Sequence, residues 1–208
     1  FQPDENKEYI GTVGIPLVLN MYENIPFWFT FFDQLGFKVI YSDRSSKTIY
    51  ELGQDSIPSD TACYPAKLVH GHIENLIEKH VDMIFYPNMP FNFIEKDYRD
   101  NEFNCPIVAF YPEVIGANMD NLDVKKFLDP YISLNNKKFF IKNLIASFKK
   151  GKTINLFKAS KAYDKAMKVY INYRQDVLNK GKEALEYAKE HDKKVILLAG
   201  RPYHIDPE

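Results

Sequence analysis

The sequence predicts an α/β fold: an open, mostly parallel doubly wound sheet with helices on both faces, followed by a C-terminal helical excursion. Short apolar runs alternate with stretches of helical periodicity, which is the pattern of βαβ units. Two of these runs end alike, at Phe85-Tyr86-Pro87 and at Phe110-Tyr111-Pro112. Because proline lacks the N–H that a central strand donates, each ending predicts the carboxyl end of a buried parallel strand.

The predicted elements have their own start and stop signals. Asn24 fits an N-cap position with Pro26 in the first helical turn, and Gly36 fits the stop after that helix. Pro65 starts a later helix in the same way. The predicted strands cover residues 9–14, 37–41, 81–86 and 107–111, and the predicted helices cover residues 24–35, 46–52 and 65–80.

The pattern becomes helical after about residue 121, with helices predicted at 137–150 and 160–191 and a last buried strand at 193–199. We therefore divide the chain into an α/β sheet domain at 1–120, a helical segment at 121–192, and a strand at 193–208 that returns to the sheet or starts a further domain. Arg201 follows this strand, and we expect it to belong to a neighbouring unit's site. The chain begins without Met and ends on a functional-looking turn, so we expect a fragment of a longer protein.

Composition narrows the possible partners. The 208 residues are 45% hydrophobic and 26% charged, which suffices for one large domain with a core. A net charge of −1 favours neither nucleic acid nor an anionic membrane as a partner. The sequence has no apolar run of the roughly 18 residues that a membrane span needs, no signal peptide and no phosphate-loop motif. Two cysteines do not make a disulfide framework, and we expect a cytoplasmic protein that keeps both reduced.

Ligands of open α/β sheets bind outside the carboxyl ends of the strands. Asn88 and Glu113 each come directly after a predicted strand, so we expect both at this edge of the sheet. Cys63 opens the helix that faces them, where the helix dipole favours a thiolate that binds metal or attacks as a nucleophile. The alternative for Cys63 is a small buried apolar side chain, which is the commonest role of a free cysteine.

Three further residues have less favourable positions for a site. Cys105 precedes its predicted strand, which places it at the opposite end of the sheet, as a core or edge residue. It joins Cys63 only if the long loop at 91–104 folds back over the site or the strand begins later. His70 and His72 lie on the Cys63 helix, where we expect a solvated face and side chains that point in different directions.

Short motifs over nearly the whole chain carry a resemblance to a known family. They are Gly14-Ile15-Pro16, Asn20-Met21-Tyr22-Glu23, Pro26-Phe27-Trp28, Ser45-Ser46-Lys47, the run from Cys63 to His72, Phe85-Tyr86-Pro87, Asn104-Cys105-Pro106, Tyr111-Pro112-Glu113 and Gly200-Arg201-Pro202. The chain resembles the acyl-CoA dehydratase activase-related proteins, large anaerobe proteins of the 2-hydroxyglutaryl-CoA dehydratase activator family. The similar region there follows two ATPase-like activase domains, and is similar in outline to a dehydratase subunit whose cysteines hold an iron–sulfur cluster.

The resemblance implies a site and a function. It implies that Cys63 and Cys105 are metal ligands, with Asn88 and Glu113 beside them in the cofactor site; it names no catalytic residue. The family commonly has cysteine where this chain has Asn88, and a [4Fe–4S] cluster usually takes four thiolates. We therefore expect a redox-associated domain, half of an iron–sulfur dehydratase-like module coupled to ATP-driven activase domains of the same longer chain. The alternatives are a non-catalytic scaffold that docks those domains and a domain that binds acyl-CoA.

Overall fold

The computed structural model describes residues 1–91, 103–148 and 154–200. Its four strands form one parallel sheet in the order β2-β1-β3-β4, which confirms the predicted α/β class. The elements in chain order are β1 (Thr12–Ile15), α1 (Leu19–Glu23), α2 (Ile25–Leu35), β2 (Lys38–Tyr41), α3 (Lys47–Gly53), α4 (Tyr64–Glu78), β3 (Met83–Phe85), α5 (Pro106–Asn118), β4 (Phe127–Leu128), α6 (Lys137–Ser147) and α7 (Leu156–Glu190).

Helices cover both faces of this sheet. Gly14 of β1 faces α4, because a Cβ there would lie 3.0 Å from a side-chain methyl of Leu76. Ile84 of β3 is in register with Gly14 and shares that face. Its neighbour Phe85 points to the opposite face, where its ring centroid lies 5.0 Å from that of Trp28 on α2. The sheet is therefore doubly wound, with α4 on one face and α2 on the other.

An aromatic cluster joins α2 to the two helices that follow the sheet. The ring of Phe140 on α6 lies 5.6 Å from Phe27 on α2 and 5.1 Å from Tyr163 on α7, and all three side chains are buried. Such pairs contribute about 0.5–1.5 kcal/mol each beyond their buried area. The aromatic run of α2 is therefore core, and the first part of α7 belongs to the same core as the sheet.

Two glycines bring α3 and α4 into backbone contact. A Cβ on Gly53 would lie 2.1 Å from the backbone nitrogen of Gly71, and a Cβ on Gly71 would lie 1.7 Å from the backbone oxygen of Ile49. No side chain fits at either position unless the helices separate. This crossing holds α4 with both of its histidines, His70 and His72, in the protein interior.

The predicted fourth strand at 107–111 is wrong, because these residues belong to α5. Cys105 has an extended backbone at the N-cap, and Pro106 occupies the first helical position, where its missing N–H costs nothing. A five-residue apolar run fits a buried strand or a buried helix equally well. The fourth strand is β4, which is only two residues long.

The C-terminal part differs from the prediction in two ways. The sheet extends past residue 120 through β4, although the boundaries at residues 120 and 192 stay predictions. The last predicted strand is not paired with the described sheet, and Ile196 and Leu198 there are 91% and 85% exposed. Helix α7 continues through Gly181 as one helix of 35 residues. Arg201 lies outside the described residues. A search of the described helices finds no candidate for a membrane span.

Candidate functional site

Two helices begin alike at the carboxyl edge of the sheet. Cys63 is the N-cap of α4 and Cys105 is the N-cap of α5, each with nearly the same extended backbone angles and with proline within the next two residues. Helix α4 leads into β3 and helix α5 leads from β3 to β4, so both helices start at the carboxyl ends of the parallel strands. The expectation that Cys105 lies at the opposite edge is therefore wrong, and its cause is the misassigned strand.

Backbone and side-chain hydrogen bonds fix the start of α5 against the loop after β3. The Asn104 backbone N–H donates to the Pro90 carbonyl at 2.8 Å, and Asn104 Nδ2 donates to the Met89 carbonyl at 2.8 Å. Cys105 is the next residue along the chain. These bonds hold Cys105 beside the segment that contains Asn88.

Tyr86, directly after β3, lies near both thiols. Its side chain is fully buried, and its hydroxyl has no hydrogen-bond partner among the described residues. Burial raises the pKa of Tyr86, and the neighbouring Tyr111, Cys105 and Cys63 raise this pKa further. Tyr86 is therefore a buried phenol near the starts of α4 and α5, and its hydroxyl has no acceptor among the described residues.

The side chain of Asn88 is held in one orientation at the same edge of the sheet. Its backbone continues the ladder, because its N–H donates to Pro130 and its carbonyl accepts from Ile132, both at 3.0 Å. Its side-chain Nδ2 donates to the Asp129 carbonyl at 2.7 Å. The other amide atom, Oδ1, is buried and has no partner among the described residues. Because Asn88 is two residues from Tyr86 along extended chain, both side chains point to one face.

Glu113 does not follow a strand, so this part of the prediction is wrong. It lies within α5 and accepts a short hydrogen bond from the Tyr131 hydroxyl. This bond raises the pKa of Tyr131. Tyr131 pairs with Asn88 through a parallel backbone bridge, so Glu113 is linked to Asn88 through one intervening residue. Glu113 itself is exposed.

Sequence reasoning missed the role of His70. The expected solvated face is wrong, because His70 is fully buried and both of its ring nitrogens have partners. Ser56 Oγ donates to the Gly53 carbonyl at 3.0 Å, so it accepts from His70 Nδ1–H at 2.8 Å. His70 Nε2 is then the acceptor of the Tyr111 hydroxyl at 3.1 Å. Burial lowers the pKa of His70 to about 4, so the ring is neutral.

His72 is likewise fully buried. Its Nδ1 lies 2.8 Å from Ser42 Oγ and its Nε2 lies 3.0 Å from Ser45 Oγ. Ser42 also accepts from the Leu17 N–H, so His72 joins the ends of β1 and β2 to α4. The two histidines point in different directions, as expected. Gly71, which lies between them in the sequence, is a local sequence signal of the close packing in this part of α4.

The carboxyl edge of the sheet carries two thiols, one buried donor on Tyr86 and one buried acceptor on Asn88. Thiolates are ligands for iron, zinc and iron–sulfur centres. The sequence contains only these two cysteines, and no group of three or more His, Cys, Asp or Glu residues in the described ranges could hold a metal ion. The chain's two thiols are therefore too few for a four-thiolate cluster.

One family model matches this chain. It is described as the CoA enzyme activase uncharacterised domain (DUF2229), and it matches residues 12–208. No curated protein and no solved structure matches.

Proposed function

The chain belongs to the family of the CoA enzyme activase uncharacterised domain, and from this premise we propose that it is a redox-associated domain of an activase system. In this proposal it is one half of an iron–sulfur dehydratase-like module of the 2-hydroxyglutaryl-CoA type, and ATP-driven activase domains supply its electrons. The observation that carries the proposal is the pair of matched helix starts, which places Cys63 and Cys105 at the carboxyl edge of the sheet, where Tyr86 follows β3.

The chemistry of the two helix starts supports this role. The N-terminal ends of α4 and α5 carry partial positive charge, which favours negative charge near Cys63 and Cys105. An iron–sulfur cluster supplies one-electron transfer when it is bound. Its ligands other than Cys63 and Cys105 would come from other residues. The protein itself would hold two sulfur ligands, Cys63 and Cys105, at the edge of the sheet where the buried side chains of Tyr86 and Asn88 lie.

Anaerobic reconstitution with iron and sulfide tests the proposal. We expect the chain alone to retain little iron, because it offers two thiolates where a cluster usually takes four. Asn88→Cys places a third thiol after β3 and should retain more iron and sulfide than the parent. Asn118→Cys adds a thiol at the far end of α5 and is the matched control.

The iron contents then decide between the outcomes. Equal and negligible iron in the parent and in both variants would contradict the proposed thiolate site. A stoichiometric cluster in the parent would show that the ligand set is not the one proposed. Gain of iron by Asn118→Cys equal to that of Asn88→Cys would show that any added thiol suffices.

A docking scaffold is the second candidate function, and α7 favours it. Ile171, Leu178 and Leu185 lie at seven-residue intervals on this helix and are 49%, 61% and 57% exposed. Such a stripe is typical of a helix that packs on a partner helix. If this stripe binds the activase domains, Leu178→Glu should weaken the complex between the chain and those domains, as measured by calorimetry. Lys180→Glu, on the opposite side of α7, should leave the affinity of that complex unchanged. Acyl-CoA binding by this domain remains the third possibility, and a calorimetric titration with an acyl-CoA tests it.

A further inference from the structure

We propose that two copies of this chain associate through the far half of α7, which packs antiparallel on the same helix of the second copy. This association is independent of the thiol site at the edge of the sheet. It assigns to a second copy the stripe of Ile171, Leu178 and Leu185, which the docking alternative assigns to the activase domains. The symmetry, the charges and the area of the exposed surface each support a second copy as the occupant.

The stripe is symmetric about its middle residue. Ile171 precedes Leu178 by seven residues, and Leu185 follows it by seven. A two-fold axis at the level of Leu178 therefore places this residue against its own copy, and Ile171 against the second copy's Leu185, with the helices antiparallel. The buried Ala166 and Tyr170 lie about 120° and 80° from Leu178 around the helix axis, at about 100° per residue. A second copy can thus pack on the stripe without displacing the sheet.

Two oppositely charged side chains flank the stripe at matching levels. Lys168 and Glu186 both lie about 80° from Leu178 around the helix axis, on the side away from the sheet. Both are exposed, and neither forms an ion pair within the described residues. Antiparallel pairing brings Lys168 within about 3 Å of the second copy's Glu186 along the helix axis, whereas parallel pairing sets like charges together. The flanking charges are therefore complementary to an antiparallel second copy.

Apolar side chains at both ends of α7 extend the surface of the stripe. Leu156 and Phe157, at the start of α7, are 66% and 68% exposed, and Ile196 and Leu197, past its end, are 91% and 88% exposed. Leu156 lies farther from Leu178 along the chain than the last residue of α7 does. Antiparallel pairing therefore carries the start of one α7 past the end of the other, toward the apolar segment at 195–198.

The exposed apolar area agrees with what a dimer needs. The stripe contributes three large apolar side chains, the start of α7 two, and the segment at 195–198 four. At roughly 80 Å² of exposed apolar area each, these side chains offer about 700 Å² per copy, close to the roughly 800 Å² per partner that a stable complex buries. The stripe alone falls well short of this area, so the pairing needs both ends of α7.

Sedimentation velocity of the 208-residue chain over a range of concentrations tests the pairing. We expect a species of twice the chain mass of 24.3 kDa. Leu178→Glu sets two carboxylates against each other at the two-fold axis and should raise the Kd of the dimer about 100-fold. Ile196→Asp should raise it about 10-fold, because it removes apolar area from the interface. Lys180→Glu, on the opposite side of α7, is the matched control and should leave the Kd unchanged.

Charge reversal tests the antiparallel orientation. Lys168→Glu and Glu186→Lys should each raise the Kd about 10-fold, because each sets like charges against each other at two symmetric places. The double variant restores opposite charges and should recover the affinity of the parent. In a parallel pair neither single reversal would weaken the dimer, since the parent already has like charges at these levels.

Each outcome supports or overturns the association. A parent that stays monomeric up to about 100 µM overturns it, and loss of the activase complex alone in Leu178→Glu then favours the docking alternative. A dimer that Leu178→Glu does not weaken overturns the use of the stripe. Weakening in both charge variants without recovery in the double variant overturns the antiparallel orientation. If circular dichroism shows that Leu178→Glu is unfolded, the exposed charge variants decide. Iron retention by Asn88→Cys is measured separately, so failure of the pairing leaves the proposed redox function intact.

Discussion

Acidification should destabilise this fold through His70. The neutral ring donates from Nδ1 to Ser56 and accepts from Tyr111 at Nε2. A proton added at Nε2 would face the hydroxyl proton of Tyr111 and would place a charge in the interior between α4 and α5. Protonation of His70 therefore favours the unfolded state, in which water solvates the imidazolium.

The size of the effect follows from the pKa of His70, which burial lowers from 6.5 to about 4. This difference of about 2.5 units corresponds to about 3 kcal/mol. Between these two pH values the unfolded state binds more protons, so the free energy of unfolding falls as the pH falls. The His70 contribution is fully present above pH 6.5 and is lost progressively as the pH falls to about 4.

Urea unfolding followed by circular dichroism at several pH values from 7 to 4 measures this slope. His70→Gln cannot take up the proton, so its stability should be lower at pH 7 but should depend less on pH by about 3 kcal/mol over this range. His80→Asn changes an exposed histidine and should keep the parent's slope. Parallel curves for the parent and His70→Gln would refute the assignment of the effect to His70.

Three further substitutions test the packing that supports the site, each by urea unfolding. Gly71→Ala should cost about 3 kcal/mol or more, because the added methyl would lie 1.7 Å from the Ile49 oxygen. Stability within about 1 kcal/mol of the parent would contradict the close crossing. Tyr163→Phe should cost about 1–3 kcal/mol, because it removes the donor to the buried Leu134 carbonyl, and no loss would mean that water replaces the hydroxyl. Asn155→Ala should cost about 1 kcal/mol through loss of the α7 N-cap, whereas Asn155→Asp should retain stability.

The sequence alone was sufficient to predict those helices and strands that carry two independent signals. Helix α2 has proline at its start and Gly36 at its end, and the structure ends the helix at Leu35, directly before Gly36, whose φ is +92°. The strand before Pro87 was also predicted correctly in place and direction, because a buried apolar run and a proline stop coincide there. Strand β4 has two residues and therefore no periodicity to detect.

The site was harder to predict, because its partners are distant in sequence. The run after Cys105 has an apolar pattern that fits a strand, and only the comparison with the Cys63 start, which also has a proline, indicates a helix. The burial of His70 depends on Tyr111, 41 residues away, and no local pattern encodes that contact. Cys63 and Asn88 were assigned to the correct edge because strand direction alone determines it.

Helix α7 also has a mechanical consequence. Its 35 residues make a rod about 52 Å long. The aromatic core holds its first part up to Tyr170, whereas most of the following side chains are exposed. About 30 Å of helix thus extends past the last anchored turn. A tilt of about 5° at the anchored end would move the far end by roughly 2.6 Å, since a stiff helix of this length acts as a lever. Small rearrangements of Phe27 and Phe140 would therefore be amplified into displacements of a few ångströms at the far end of α7.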